Sequence, residues 1–570
     1  MVTLLALVGG ITPIISLMIT QNILNSIQSM SLPLNDVLGL VVIYCVFSIS
    51  VMIIQNVNSY FSQQLNIFLM YRMKFLLMEK CSELPLERLE ETETYDMITR
   101  LENEIAVKPS QSLSALVGIV SISITLVTAL VILFQWRIWM FLIFIIISLI
   151  ALSAHLKIAN KEFQMRFNRS NKEREVWYYA FLLTRDTAFK EVKILNLKDY
   201  FLKKYWGLVK SFIKEENQLN RFSILLQVML SLLQDLMAGF VMFIAIREAY
   251  LGFILIGTAL VYMNVTNMIQ GAIGGLATHI HSLYNSNLYM SMLKDFLKLE
   301  TQSQLGDYEV KEVNSLKISR VFYNYPNQQD VLKDVSFELF KGERVAIVGE
   351  NGSGKSTLLK LLCGLYEPSD GVISINGQVF NNINMDSYKK NISVLFQDFL
   401  KLESSLLENI HIGHIDEEIN QEKIKEALDF AGVDFFKEGE HYDYHRFLGN
   451  WFEDGSQISG GQWQKIALAR AYYKEAQIYF LDEPSSALDV FAEMKIFESF
   501  FEKSRHKIGV FITHRVKIAK QADKIIVMSK GEVVDVGSHD YLYQHCSLYK
   551  EMLEKEEELN ILKKEEETLE

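Results

Sequence analysis

Long stretches of this chain carry no Asp, Glu, Lys or Arg: residues 1–35, 111–136, 138–156 and 249–293. Such runs match or exceed the ~20 apolar residues that a helix needs to cross a hydrocarbon core. In that core only a segment that satisfies its own backbone hydrogen bonds is viable. The first 300 residues are therefore expected to form an all-α membrane domain of six helices. The spans fall near residues 1–24, 37–54, 113–134, 138–156, 222–246 and 251–272. Two polar segments with helical patterning, 55–112 and 157–221, interrupt them. Residues 72–108 hold six Lys+Arg and 157–221 hold fifteen, whereas the opposite connections hold only Arg137 and Arg247. Positive charge stays on the cytoplasmic side, which places both long segments in the cytosol. No basic region precedes the apolar start, so a cleavable signal peptide is not expected.

Two features inside the spans call for a reason. Pro13 removes an N–H from the first span, which a neighbouring donor can compensate. The fifth span carries Gln227, Gln234 and Asp235. An ionisable group at that depth is costly and usually faces a bundle interior or a water-filled cavity. These three residues are candidates for a substrate pathway, with a helix–helix hydrogen bond as the other reading.

From residue 301 the texture becomes that of a soluble α/β domain, expected over 301–550, with a solvated tail over 551–570 that holds nine Glu and three Lys. Residues 1–305 carry 25 Lys+Arg against 22 Asp+Glu, leaving 31 against 46 beyond them. An acidic soluble half gives no reason to expect nucleic acid as a partner. Cys45, Cys81, Cys363 and Cys546 form no CxxC pair, so neither a disulfide framework nor a metal site is expected of them.

Within this half, residues 343–348 read as a buried strand, followed by Gly349-Glu350-Asn351-Gly352-Ser353-Gly354-Lys355-Ser356 and a helix from Thr357. This is GxxxxGK[ST] in its strand–loop–helix setting. Glycines let successive backbone N–H groups curl around phosphates, and the helix N-terminus adds positive potential. Lys355 is expected at the β- and γ-phosphates of ATP and Ser356 on Mg²⁺. Upstream, Tyr325 can stack on adenine. The strand 478–483 ends in two carboxylates, Asp482 to hold Mg²⁺ and Glu483 to polarise the attacking water.

The remaining motifs follow the order of an ABC ATPase. Gln397, in Val394-Leu395-Phe396-Gln397-Asp398, fits the Q-loop, a further Mg²⁺ contact. Ile458-Ser459-Gly460-Gly461-Gln462 resembles the LSGGQ signature, which grips nucleotide held by a second subunit. Ser486-Ala487-Leu488-Asp489 resembles the D-loop, and His514, after the strand 510–513, resembles the γ-phosphate switch histidine. Preceded by six spans with long inner loops, this is the shape of a type IV ABC exporter, in which short transverse helices couple the two domains. Residues 85–96 and 183–191 are the candidates for these helices. Because one chain carries every element, a homodimer would have two complete sites.

A narrower resemblance covers nearly the whole chain. Arg174-Glu175-Val176-Trp177-Tyr178, Leu182-Leu183-Thr184-Arg185-Asp186, Leu448-Gly449-Asn450-Trp451-Phe452 and the sequel Trp463-Gln464-Lys465 resemble exporters of the nisin-type lantibiotic family. The resemblance implies a multi-pass protein of the bacterial cytoplasmic membrane, in contact with membrane lipid. It would export a modified precursor peptide with its leader attached, alongside lanthionine dehydratase and cyclase enzymes and without an N-terminal peptidase. A lipid or multidrug exporter on the same core is the second transporter reading. A non-transporting membrane ATPase in sensing or self-immunity is the reading from another class.

Overall fold

The computed structural model describes residues 2–301, 306–325, 328–439, 441–484 and 490–567. Its membrane unit is built on long helices: α1 Val2–Ser29, α2 Leu34–Glu83, then short α3 Leu86–Glu90 and α4 Thr92–Glu104, α5 Lys108–Trp136, α6 Ile138–Thr184, short α7 Asp186–Ile194, α8 Lys198–Tyr250 and α9 Ile256–Leu297. The fifty residues of α2 rise about 75 Å, more than twice the thickness of a hydrocarbon core. The two polar segments of the sequence are thus mostly not separate helices. They are the cytosolic halves of α2, α6 and α8, which also carry the basic residues.

Among the described residues, α2, α5, α6 and α8 contain windows long and apolar enough to cross a membrane. The sixth expected span, in α9, is interrupted by Asn264, Asn267 and Gln270. It packs instead through specific contacts. Gln21 and Asn25 of α1 both donate to the Thr258 hydroxyl, at 3.0 and 3.1 Å, and Tyr262 stacks on Trp136 with ring centroids 4.0 Å apart. Met140, Ala151, Val241, Val265 and Ile269 make a buried core between α6, α8 and α9. Helix α1 continues through Pro13 because the Thr12 hydroxyl donates to the Gly9 carbonyl at 3.0 Å, the acceptor that the proline cannot serve.

The chain divides into two compact units: Met1–Ser82 with Asp96–Leu299, and Glu83–Tyr95 with Glu300–Glu570. The expected border at residue 300 therefore misses one segment. Residues 83–95 go with the soluble unit because Leu86 packs against its core and Glu87 and Glu90 bond to its tyrosines. Of the two expected transverse segments, 85–96 resolves into α3 and the start of α4, separated by an extended Glu91. In 183–191, residues 183 and 184 still belong to α6, and α7 begins only after the extended Arg185.

The soluble unit holds β1 Ser315–Tyr325, β2 Gln328–Phe340, β3 Arg344–Gly349, α10 Lys355–Leu362, β4 Asp370–Ile375, β5 Gln378–Val379, α11 Met385–Lys390, β6 Ile392–Leu395, α12 Leu406–His411 and α13 Gln421–Phe430. It continues with β7 Lys437–Glu438, β8 His441–Tyr442, α14 Gly460–Tyr473, β9 Ile478–Asp482, α15 Val490–Lys503, β10 Ile508–Ile512, α16 Val516–Ala519, β11 Lys524–Ser529, β12 Glu532–Gly537, α17 His539–His545 and α18 Ser547–Glu567. One sheet has the order β12-β11-β3-β10-β9-β6, and only its β11–β12 pair is antiparallel. A second, antiparallel sheet runs β2-β1-β4-β5. Strands β9 and β10 are buried throughout, as expected for parallel strands covered on both faces. The order β3-β10-β9 brings three strand ends together: Gly349, the approach to His514, and Asp482. Open parallel sheets bind ligands at that edge.

Candidate nucleotide site

The loop from Gly349 to Gly354 joins β3 to α10. A side chain at Gly349 would sit 2.3 Å from the Met528 carbonyl, and Gly354 has φ +97°, so both positions require glycine. Lys355 is buried, and its ammonium donates to the carbonyls of Gly349 and Glu350 at 3.0 and 2.9 Å. Burial pushes its pKa down while Glu483 and Asp482 pull it back up. Glu350, Asn351, Gly352 and Ser356 are exposed around the loop, and Ser353 and Thr357 are buried. Tyr325, on β1, hydrogen-bonds through its hydroxyl to that of Thr357 at 3.2 Å. Its ring meets Tyr366 edge-on at 5.7 Å.

Asp482 ends β9. Burial, the largest influence, raises its carboxyl to about 6; the Ser356 hydroxyl opposes that and neighbouring Glu483 adds to it. Its Oδ1 is buried with no hydrogen-bond partner. Glu483 follows with φ +49°, a backbone region that costs a non-glycine residue energy and recurs at functional sites. The strained turn aims its carboxylate at two partners. Oε1 makes a short contact with His514 Nε2, and Oε2 accepts from Gln397 Nε2 at 3.3 Å. Gln397, Glu483 and His514, spread over 118 positions of sequence, therefore form one chain of polar contacts.

The sequence did not single out Gln464 as part of this site. It is buried, and its amide donates to the main-chain carbonyl of Glu483 at 3.3 Å, so α14 holds the strained residue from behind. Its neighbours in the Trp463-Gln464-Lys465 run also have structural partners: Trp463 is buried, and Lys465 donates to the Gly432 carbonyl at 2.9 Å. The only hint in the sequence was that run as a family mark; nothing in spacing links residue 464 to 483.

The signature lies apart from these groups. Ser459 caps α14 through a reciprocal pair, accepting from Gln462 N at 3.3 Å and donating to Gln462 Oε1 at 2.8 Å. Ser459 and Gly460 are exposed, and Ile458, Gly461 and Gln462 are half-buried. Among the described residues no hydrogen bond joins residues 458–462 to residues 349–357. The D-loop residue Asp489 lies outside the described residues. In the membrane unit, Gln227 and Asp235 are exposed on α8 and Gln234 is half-buried. Gln227 donates to the Ser223 hydroxyl at 3.3 Å.

A family profile described as ABC transporter matches residues 332–486. The chain is 41% identical to the subtilin transport ATP-binding protein SpaT of Bacillus subtilis, over 98% of this chain and 92% of that one. It is 36% identical to the nisin transport ATP-binding protein NisT of Lactococcus lactis subsp. lactis, over 96% and 91%. In fold it is similar to a bacterial Atm1-family ABC exporter solved with ATP bound, with a TM-score of 0.84, 20% identity and 97% of each chain covered. A membrane unit of long apolar helices, a P-loop α/β unit matched by the ABC transporter profile, and 41% and 36% identity over nearly the whole chain to two lantibiotic transporters place this chain in the lantibiotic exporter family of ABC transporters, multi-pass membrane proteins that couple ATP hydrolysis in a cytosolic domain to export.

Proposed function

We propose that this protein exports a modified, leader-bearing precursor peptide across the cytoplasmic membrane, as a homodimer driven by MgATP hydrolysis. The observation that carries the cargo is the similarity to the subtilin and nisin transporters along both units. Mg²⁺ fits the residues present: the orphaned Asp482 Oδ1, the Ser356 hydroxyl beside the same carboxylate and the exposed Gln397 amide are hard oxygen donors. Held by these residues, the ion would supply neutralisation of phosphate charge.

The chain's own groups supply the remainder. The N–H groups of the glycine loop and the Lys355 ammonium bind the phosphates. Glu483 accepts a hydrogen bond from the attacking water and aligns it. His514 and Gln397 fix the orientation of that carboxylate and can move it when nucleotide arrives. Ser459 and Gly461 at the exposed start of α14 would complete the site of a second copy, and cysteines placed at Ser353 and Ser459 should cross-link between copies only with ATP present. The cargo is tested by ATP turnover of the reconstituted protein. Modified precursors are expected to stimulate it at saturating MgATP. Stimulation by lipids or hydrophobic drugs, and by no precursor, would replace this reading with that of a lipid or multidrug exporter.

A further inference from the structure

Within the membrane unit, a cavity of about 360 Å³ lies between α1, α2 and α5. Its polar lining is regular. Gln55, Asn58, Ser62 and Asn66 recur along α2 at steps of three and four, the spacing of one helix face, and Ser114 and Ser121 answer from α5. None of the residues that line it is ionisable, and α2 carries no charge from residue 37 to residue 71. The Asn58 side-chain Oδ1 is buried without a hydrogen-bond partner. A buried amide oxygen left unpaired carries its full desolvation cost, so the arrangement suits a site that an outside donor completes. The walls are held by close backbone packing. A side chain at Gly10 would sit 2.6 Å from the Ser121 carbonyl, and one at Gly118 would sit 2.4 Å from the His279 ring. The Thr125 hydroxyl locks α5 to α1 by donating to the Gly10 carbonyl at 2.8 Å. By contrast, Gln227 and Asp235, expected from the sequence to mark the pathway, do not line this cavity.

We infer that this cavity is a binding site for an uncharged polar stretch of the exported peptide, its amide and hydroxyl lining exchanging hydrogen bonds with peptide amides. The inference rests on the peptide reading of the cargo. Asn, Gln and Ser both donate and accept, as a peptide backbone does, whereas a phosphate or carboxylate would demand a cation that the lining lacks. The test uses the full-length protein in lipid, with the modified, leader-bearing precursors of subtilin and of nisin as probes and ATP turnover as readout. Asn58→Leu should raise the half-stimulating precursor concentration at least about tenfold, the order of one or two lost hydrogen bonds, with unstimulated turnover unchanged. Ser62→Ala should shift it in the same direction and decides the matter if Asn58→Leu fails to fold. Wild-type stimulation that both variants preserve at the same concentration overturns the site while leaving the cargo intact. A wild type that neither precursor stimulates overturns the peptide reading, and the site with it.

Discussion

The phenol of Tyr366 donates a 2.5 Å hydrogen bond to Glu90 Oε2. Glu90 lies on the short helix α3, which the chain delivers between two membrane helices, yet all its partners belong to the ATP-binding unit. Lys360, on the P-loop helix α10, reaches its other oxygen at 3.2 Å. Tyr366 also stacks on Tyr323 at 5.1 Å, whose hydroxyl donates to Glu87 at 3.2 Å. Tyr325 meets both rings edge-on. An aromatic trio thus joins α3 to the residue expected against adenine. Tyr366→Phe keeps the stack and deletes the bonds of the hydroxyl, the one it donates to Glu90 and the one it accepts from Lys360 at 2.8 Å. It should leave unstimulated ATP turnover within about twofold and reduce precursor stimulation at least about threefold, the effect of less than one kcal/mol. Equal stimulation in variant and wild type would remove Tyr366 from the coupling.

Glu483→Gln keeps the shape of the side chain and its reach to His514, but not the carboxylate. Turnover should fall at least about 100-fold, the scale of losing a general base or an electrostatic positioning group, while ATP binding persists. Turnover and nucleotide binding measured on the same preparation check both halves of the expectation.

Gln464→Leu fills nearly the same volume and removes the grip on the Glu483 carbonyl. The backbone strain at Glu483 then has one restraint fewer, so kcat should fall about tenfold with little change in KM for ATP. A change in KM alone would show that Gln464 acts on binding instead.

Arg344 and Asp523 tie the starts of β3 and β11 through two parallel bonds, at 2.8 and 2.6 Å, with a third from the Arg344 main chain at 2.9 Å. Hydrogen bonding from Arg344 holds the Asp523 carboxyl below its ordinary 3.8. A carboxyl depressed by folding contributes stability above its unfolded value and loses it as pH falls through the folded one. Asp523→Asn should therefore cost about 1 kcal/mol at pH 7, a figure discounted for the partial exposure of the pair. The difference between variant and wild type should shrink below about pH 4. Thermal unfolding at the two pH values measures it.

Four of the expected spans, those in α2, α5, α6 and α8, and the ATP-binding domain were legible because each depends on local chemistry: runs without charge, and glycines at fixed spacing. The places where sequence reading stopped share a different cause. Gln464 and Glu483 meet only because α14 packs beneath the end of β9, a relation that no local pattern encodes. Residues 83–95 looked like part of the membrane half by position, and only the side-chain contacts of Leu86, Glu87 and Glu90 move them to the other unit. The amide face of α2 was hidden inside a segment already read as a polar cytosolic loop. Asp235 drew attention as a charge in an apolar run, but a rule of cost per residue does not say which cavity a helix lines.

The most direct test of the whole account is transport itself. Sealed vesicles carrying the protein with its ATP-binding units outward should accumulate modified precursor in their lumen, leader attached, only when MgATP is supplied. Vesicles with Glu483→Gln should accumulate none. Wild-type vesicles that hydrolyse ATP steadily yet move no modified precursor would contradict the account.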